Sequence, residues 1–179
     1  MTGSDTSDRS AQLLLDGFSR VRDAVRAVVE GLAADDLAWR PSGTGNSIGW
    51  LVWHLTRVQD DHLAEAAGDE QVWTRDGWAR RFALPFDDAE TGYGHGPSDV
   101  DAVRVASGDL LRDYHDAVHE QTVRRLQSWS GSAMARVVDE GWDPPVTLAV
   151  RLMSVLADDL AHIGQAEYVR GLLLPDGAG

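Results

Sequence analysis

Asp158 and His162 stand four residues apart in a strongly apolar segment, followed at once by Ile163-Gly164-Gln165. On a helix that spacing places a carboxylate and an imidazole one above the other on one face, aimed at a common point. An ionised Asp turned toward a core without a partner costs on the order of several kcal/mol, so a cation or a hydrogen-bond network has to answer it. His54 is the third candidate. The stripe through Leu51, His54 and Val58 is apolar, which turns His54 toward the same interior. Two imidazoles and one carboxylate would leave at least one position open on a divalent ion, the pattern of catalytic rather than structural zinc sites. The residues alone leave a second account standing, in which His54 is a core histidine bonded to a carbonyl and Asp158 simply pairs with His162.

Other groups could serve such a centre. Val155, Asp158, His162, Gln165 and Val169 share one helical stripe, which would bring Gln165 to the site. Trp50 could line a pocket beside His54. The Gly92-Tyr93-Gly94-His95-Gly96 stretch sets a phenol and an imidazole on a glycine-rich backbone, either as substrate contacts or as a plain turn. Arg57 and Arg151 are candidates for holding carboxylates, or are ion-pair partners within the fold. Asp60, Asp61, Asp159 and Glu167 could orient a ligand imidazole or lie on the surface. Asp61 is two turns from His54, about 10 Å along the axis, and cannot share a metal with it directly. His115-x-x-x-His119 has chelating spacing, but Tyr114, Val118 and Thr122 define that segment's apolar face, so both imidazoles are expected on a solvated face beside Asp116 and Glu120. His62 is expected to be exposed.

Composition narrows the chemistry. The 16 basic residues are all Arg, which excludes Schiff bases, a P-loop lysine and a lysine base. No cysteine is present, so disulfides, thiolate zinc sites and a protein thiol nucleophile are excluded and any thiol chemistry must use an external thiol. A formal net charge of -13 disfavours nucleic acid and anionic membrane surfaces as partners. No apolar run is long enough to span a bilayer, and the polar opening Met1–Ser10 lacks a signal-peptide core, so a cytoplasmic protein is expected.

These side chains require long helices to position them. Leu14, Phe18, Val21, Val25, Val28 and Leu32 alternate in steps of four and three, marking a first amphipathic helix. A loop rich in Asp, Pro and Gly follows, with Asn46 or Ser47 as cap for a second helix over 48–67. Residues 68–97 mix glycines and prolines with Trp73, Trp78, Phe82, Phe86 and Tyr93, which predicts a long aromatic-rich loop with at most one short helix, where selectivity would reside. Ser98 and Asp101 resemble a capping arrangement for a third helix reaching about Gln127. After a second loop, Pro144-Pro145 leads into a fourth helix over 146–173. The expected architecture is all-α, an up-down-type four-helix bundle forming one domain over residues 9–174, with flexible ends at 1–8 and 175–179.

The order Trp39-Arg40-Pro41, then Ser47-Ile48-Gly49-Trp50-Leu51-Val52-Trp53-His54-Leu55, then Asp158-x-x-x-His162-x-Gly164-Gln165 resembles the DinB-like (DinB/YfiT) metal-binding superfamily. The resemblance implies a four-helix bundle with a divalent ion, zinc by default and nickel as an alternative, bound by His54, Asp158 and His162. Asp158 stands where many members carry His or Glu. Within the superfamily the chain is most similar to the mycothiol-dependent branch of maleylpyruvate isomerases and mycothiol S-transferases. Only Pro175–Gly179 lie beyond the fourth helix, where the isomerase carries a further domain, so a single-domain S-transferase is the nearer likeness. Its implied partners are a small-molecule thiol, mycothiol, and an electrophile, with a homodimer through helix faces also expected. The alternatives are a metal-dependent small hydrolase and a non-enzymatic metal- or ligand-binding stress protein.

Overall fold

The computed structural model describes residues 3–129 and 131–174, with side chains from residue 9 onward. Of the expected flexible ends, residues 1–2 and 175–179 lie outside that description, whereas the backbone of residues 3–8 forms the first turns of α1. Four long helices dominate: α1 (Gly3–Val29), α3 (Ile48–Ala67), α7 (Gly108–Ser128) and α8 (Leu148–Leu173). Short helices α2 (Ala34–Ala38), α4 (Val72–Arg75), α5 (Trp78–Phe82) and α6 (Pro97–Ala102) occupy the connections. The protein is therefore an all-α helical bundle. Its only sheet among the described residues is a small antiparallel ribbon of β1 (Val137–Asp139) and β2 (Val146–Thr147), pairing Val137 with Thr147 and Asp139 with Val146.

Packing runs α1 against α7 and α8, and α3 against the same two. The two histidine-bearing elements α3 and α8 are therefore neighbours, while α1 and α3 sit largely diagonally. Each of three long helices opens with a hydroxyl cap that sets its register. Ser47 Oγ accepts from the Trp50 amide at 3.2 Å, Ser107 Oγ from Leu110 at 3.2 Å and Thr147 Oγ1 from Val150 at 3.4 Å. Phe18, Val21 and Val25 of α1 meet Leu51 and Leu55 of α3, Leu111 and Val118 of α7, and Leu148 and Leu152 of α8 in a closed apolar core. No helix among the described residues is long and apolar enough to cross a membrane.

Three expectations change. The helix expected from Ser98 onward is two elements: α6 ends at Ala102, Val103 and Val105 turn inward as buried plugs, and Ser107-Gly108 starts α7 afresh. Its first part is capped by Asp99, whose Oδ2 accepts the Gly96 amide at 2.9 Å, rather than by the Ser98 and Asp101 pair. The aromatic segment holds two short helices, α4 and α5, because Trp73, Trp78 and Phe82 gather around the buried Tyr114 ring with centroids 5.2–5.6 Å away.

The largest correction concerns His115 and His119, which are buried at 1% and 5% exposure. Because α7 packs on both α1 and α3, its inward arc is wider than the stripe through Tyr114, Val118 and Thr122. The Thr56 hydroxyl donates to the Val52 carbonyl at 2.7 Å, so at 3.0 Å from His115 Nδ1 it can only accept, and that nitrogen carries the proton. His119 Nε2 lies 3.3 Å from Ser19 Oγ on α1.

Burial, reinforced by His119, Arg22 and Arg26, lowers the His115 pKa to about 3. An unfolded imidazole titrates near 6.5, so the unfolded chain takes up the proton first. The stabilising contribution of neutral His115 is complete above about pH 6.5 and is lost progressively as pH falls toward 3. Urea melts at pH 7.5 and 5.0 should show a His115 contribution of about 2 kcal/mol to the loss. His115→Asn, which can keep a donor toward Thr56 but does not titrate, should flatten the difference by that amount; an unchanged acid limb would contradict the assignment.

Candidate metal centre

His54 lies seven residues into α3 from its Ser47 cap, and Asp158 and His162 occupy successive turns of α8. Their potential ligand atoms all lie within 4.8 Å of one another, close enough to hold one metal ion. The imidazole centroids of His54 and His162 are 4.8 Å apart and edge-on at 66°. His54 is 6% exposed, while the side chains of His162 and Asp158 are 18% and 36% exposed. The set is thus walled on the α3 side and reachable from the α8 side.

Both imidazoles have one nitrogen occupied by a group that can only accept. His54 Nδ1 donates to the Thr91 carbonyl at 2.6 Å, and His162 Nδ1 donates to the Asp158 carbonyl at 2.9 Å. Each Nε2 is left as a bare lone pair, the form in which neutral histidine binds metals. Burial, with the neighbouring His162, holds His54 below the ordinary imidazole value against the opposing Thr91 bond and Asp158 charge, which favours that neutral form. Asp158 Oδ2 lies 3.4 Å from His162 Nδ1, but the proton there points to the carbonyl, so this buried oxygen has no hydrogen-bond partner. Two bare nitrogens and an orphaned carboxylate oxygen converging on one point suit a divalent cation. The core bonding foreseen as the alternative is present, a carbonyl on His54 and Asp158 close to His162, and it leaves the ligand atoms free.

The surrounding candidates divide. Trp50 stacks on His54 at 4.6 Å and 15°, and its indole N–H donates to His95 Nδ1 at 3.2 Å. His95 packs on Phe86 and Trp53, with Nε2 3.9 Å from Glu90 Oε2, at the edge of the site. Tyr93 is 90% exposed at the loop tip. Gln165 is exposed on α8. Arg151 points elsewhere, to Asp139 Oδ2 at 2.8 Å and toward His62 at 3.4 Å, tying β1 to α8. Arg57 is fully buried and engaged with loop carbonyls.

Of the acidic residues, Asp60 accepts the Val72 and Trp73 amides and the Tyr114 hydroxyl, and Asp61 accepts from Gln71. Glu167 is exposed. Asp159 is completely buried with both oxygens unpartnered; burial and the adjacent Asp158 charge push it well above the ordinary carboxylate value, favouring the neutral acid. Thr91 carries no signal in the sequence, and Gly92 stands out there only as part of the glycine-rich stretch. A carbonyl has no residue-type signature, but the glycine run was a usable signal. Gly92 takes φ +93°, and a Cβ there would lie 2.8 Å from His54 Nδ1 and 3.0 Å from the Trp53 ring.

Comparison with known proteins identifies the family and the fold. The sequence profile of the DinB superfamily matches residues 18–168. A chain of known structure from Enterococcus faecalis, described only as a conserved protein, is 30% identical, with a TM-score of 0.85 over 90% of this chain and 95% of its own. No curated protein matches the chain.

Gly92→Ala should therefore damage the centre without unfolding the bundle, because the new methyl group meets His54 and the positive φ is costly for Ala by about 1–2 kcal/mol. Equilibrium dialysis against zinc or cobalt should show at least a roughly tenfold loss of affinity, the scale expected when support of a ligand imidazole is disturbed, with helical circular dichroism retained. Unchanged affinity would contradict the close packing of Gly92 on His54.

Proposed function

The chain belongs to the DinB superfamily, a metal-binding family, and from that premise we propose that it is a divalent-metal-dependent thiol S-transferase. The metal would be held by His54, Asp158 and His162, and the nucleophile would be an external low-molecular-weight thiol, mycothiol in the branch that the sequence resembles. The donor set carries the reading: two imidazoles with Nε2 bare and one carboxylate oxygen without a partner, from two adjacent helices. Three protein ligands leave room for an exogenous one, and nitrogen and oxygen donors of this kind suit zinc, with nickel also accommodated. The absence of cysteine means that sulfur, if it reacts, comes from outside.

A bound divalent ion supplies positive charge that favours the deprotonated thiol at neutral pH. The chain's own contribution is placement. Thr91 and Asp158 carbonyls fix the two imidazole tautomers, Trp50 covers one face of His54, and Phe86 with Trp53 backs His95 at the rim. In the net reaction the thiol's proton passes to solvent, its sulfur bonds to the electrophile's carbon, and the leaving group departs with the electron pair of the bond it loses. No redox partner is required. Selectivity for the electrophile is assigned to the loop that carries Tyr93 and His95.

Elemental analysis of the purified protein beside His54→Ala is the first test, with near-stoichiometric metal expected in the wild type and at least about tenfold less in the variant. The cobalt-substituted protein should change its absorption spectrum on addition of mycothiol and conjugate a model electrophile only when that thiol is present. Turnover of ester or amide substrates without added thiol would favour the hydrolase, which would use water at the same open position. Metal binding with no turnover of either kind would favour a ligand-binding module, and failure to bind any divalent metal would overturn the centre itself.

A further inference from the structure

Arg57 lies one turn beyond His54 on α3 and has no exposed surface. Its hydrogen bonds all leave the helix. Nε donates to the Glu90 carbonyl at 3.2 Å, Nη2 to the Asp88 carbonyl at 3.1 Å and Nη1 to Gln71 Oε1 at 2.7 Å. The guanidinium carbon sits 4.9 Å from the Trp73 ring centroid, and Gln71 passes the network on to Asp61 at 2.6 Å. Asp60 lies 4.0 Å from Nη1 and holds the amides that begin α4.

The strand of chain so gripped has little else to hold it. Residues 87–90 are exposed, and the hydrogen bonds tying 87–91 to α3 come from Arg57 and His54. Segments with few buried apolar contacts open readily unless they are tied by specific bonds. Glu90 immediately precedes Thr91, whose carbonyl takes the His54 Nδ1 proton, and Gly92 then lays its backbone on the ring. Pinning the carbonyls of Asp88 and Glu90 sets the path of the chain at the next two residues.

We propose that Arg57 is a positioning residue for the metal centre: by clamping the Asp88 and Glu90 carbonyls it places the Thr91 carbonyl that keeps His54 in the Nδ1–H form with Nε2 free. Loop docking and metal affinity are then one coupled equilibrium, and the coupling works in both directions. This role rests on the reading of His54 as a ligand. It differs from the expected role for Arg57 in binding a substrate carboxylate, which would need an accessible guanidinium.

The test compares wild type, Arg57→Met and Arg57→Lys by zinc competition, by nitrogen-15 shifts of the His54 imidazole in metal-free protein, and by amide exchange of residues 88–95 with and without zinc. Arg57→Met should weaken zinc binding about 10- to 100-fold, the range for groups that support a ligand histidine, and convert His54 from one tautomer to a mixture. Arg57→Lys, which can still reach a carbonyl, should recover part of both. Zinc should slow exchange of the 88–95 amides in the wild type and much less in Arg57→Met. Wild-type affinity and an unchanged His54 tautomer in Arg57→Met would overturn the proposal, as would a lowered melting temperature with the tautomer unmoved. If Arg57→Met does not fold, Arg57→Gln, too short to reach the Asp88 and Glu90 carbonyls together, takes its place, and an intact tautomer and affinity there would overturn the proposal. A wild type that binds no zinc would overturn the metal centre, while the tautomer comparison would still decide the role of Arg57.

Discussion

A neutral imidazole offers a metal a defined nitrogen only when a hydrogen bond holds the other as a donor, and the candidate site depends on backbone carbonyls meeting that requirement twice. For His162 the carbonyl is that of Asp158, four residues earlier on the same helix, so α8 supplies the ligand and its support together. For His54 the carbonyl is that of Thr91, 37 residues away in a polar loop. The first bond accompanies helix formation. The second exists only if a loop with modest apolar content is carried to α3 and kept there.

That requirement gives α3 its unusual composition. Thr56, Arg57, Gln59 and Asp60 are all buried within two turns of His54, interleaved with Leu55 and Val58, and they tie α3 to α7, to the start of α4 and to the loop. Thr56 meets His115, Gln59 donates to Thr122 at 2.8 Å, Asp60 receives two amides and the Tyr114 hydroxyl, and Arg57 receives the loop. A buried Arg and Asp 4.0 Å apart contribute little net stability against an apolar pair of similar size, because desolvation offsets their attraction. Their value lies in direction: neither has a satisfied alternative, so the 68–96 excursion docks in one arrangement. The bundle core could form around Leu and Val alone. The site could not.

Much of the architecture was readable before any coordinates. Stripes of apolar residues at steps of three and four give the long helices, and Ser47 occupies the expected cap of the second, whereas the fourth starts at Leu148 behind a Thr147 cap rather than at 146. One third helix is expected where there are two elements, because the Ser107-Gly108 break lies inside an otherwise helical pattern. His115 and His119 are buried rather than solvated for a related reason. Periodicity tells which face of a helix is apolar, but the width of the buried arc depends on how many neighbours the helix has, and α7 lies against both α1 and α3.

The convergence of Asp158 and His162 follows from the sequence by itself, since residues four apart on a helix share a face whatever surrounds them. The inward aim of His54 follows likewise from its apolar neighbours. What only the tertiary structure decided is which nitrogen each imidazole exposes, that Arg57 serves a loop rather than a ligand, and that Arg151 belongs to the β1 junction. These outcomes rest on backbone carbonyls and on packing between distant segments. A carbonyl is the same group at every residue, so its partner is chosen by the path of the chain in space and leaves no mark in residue type.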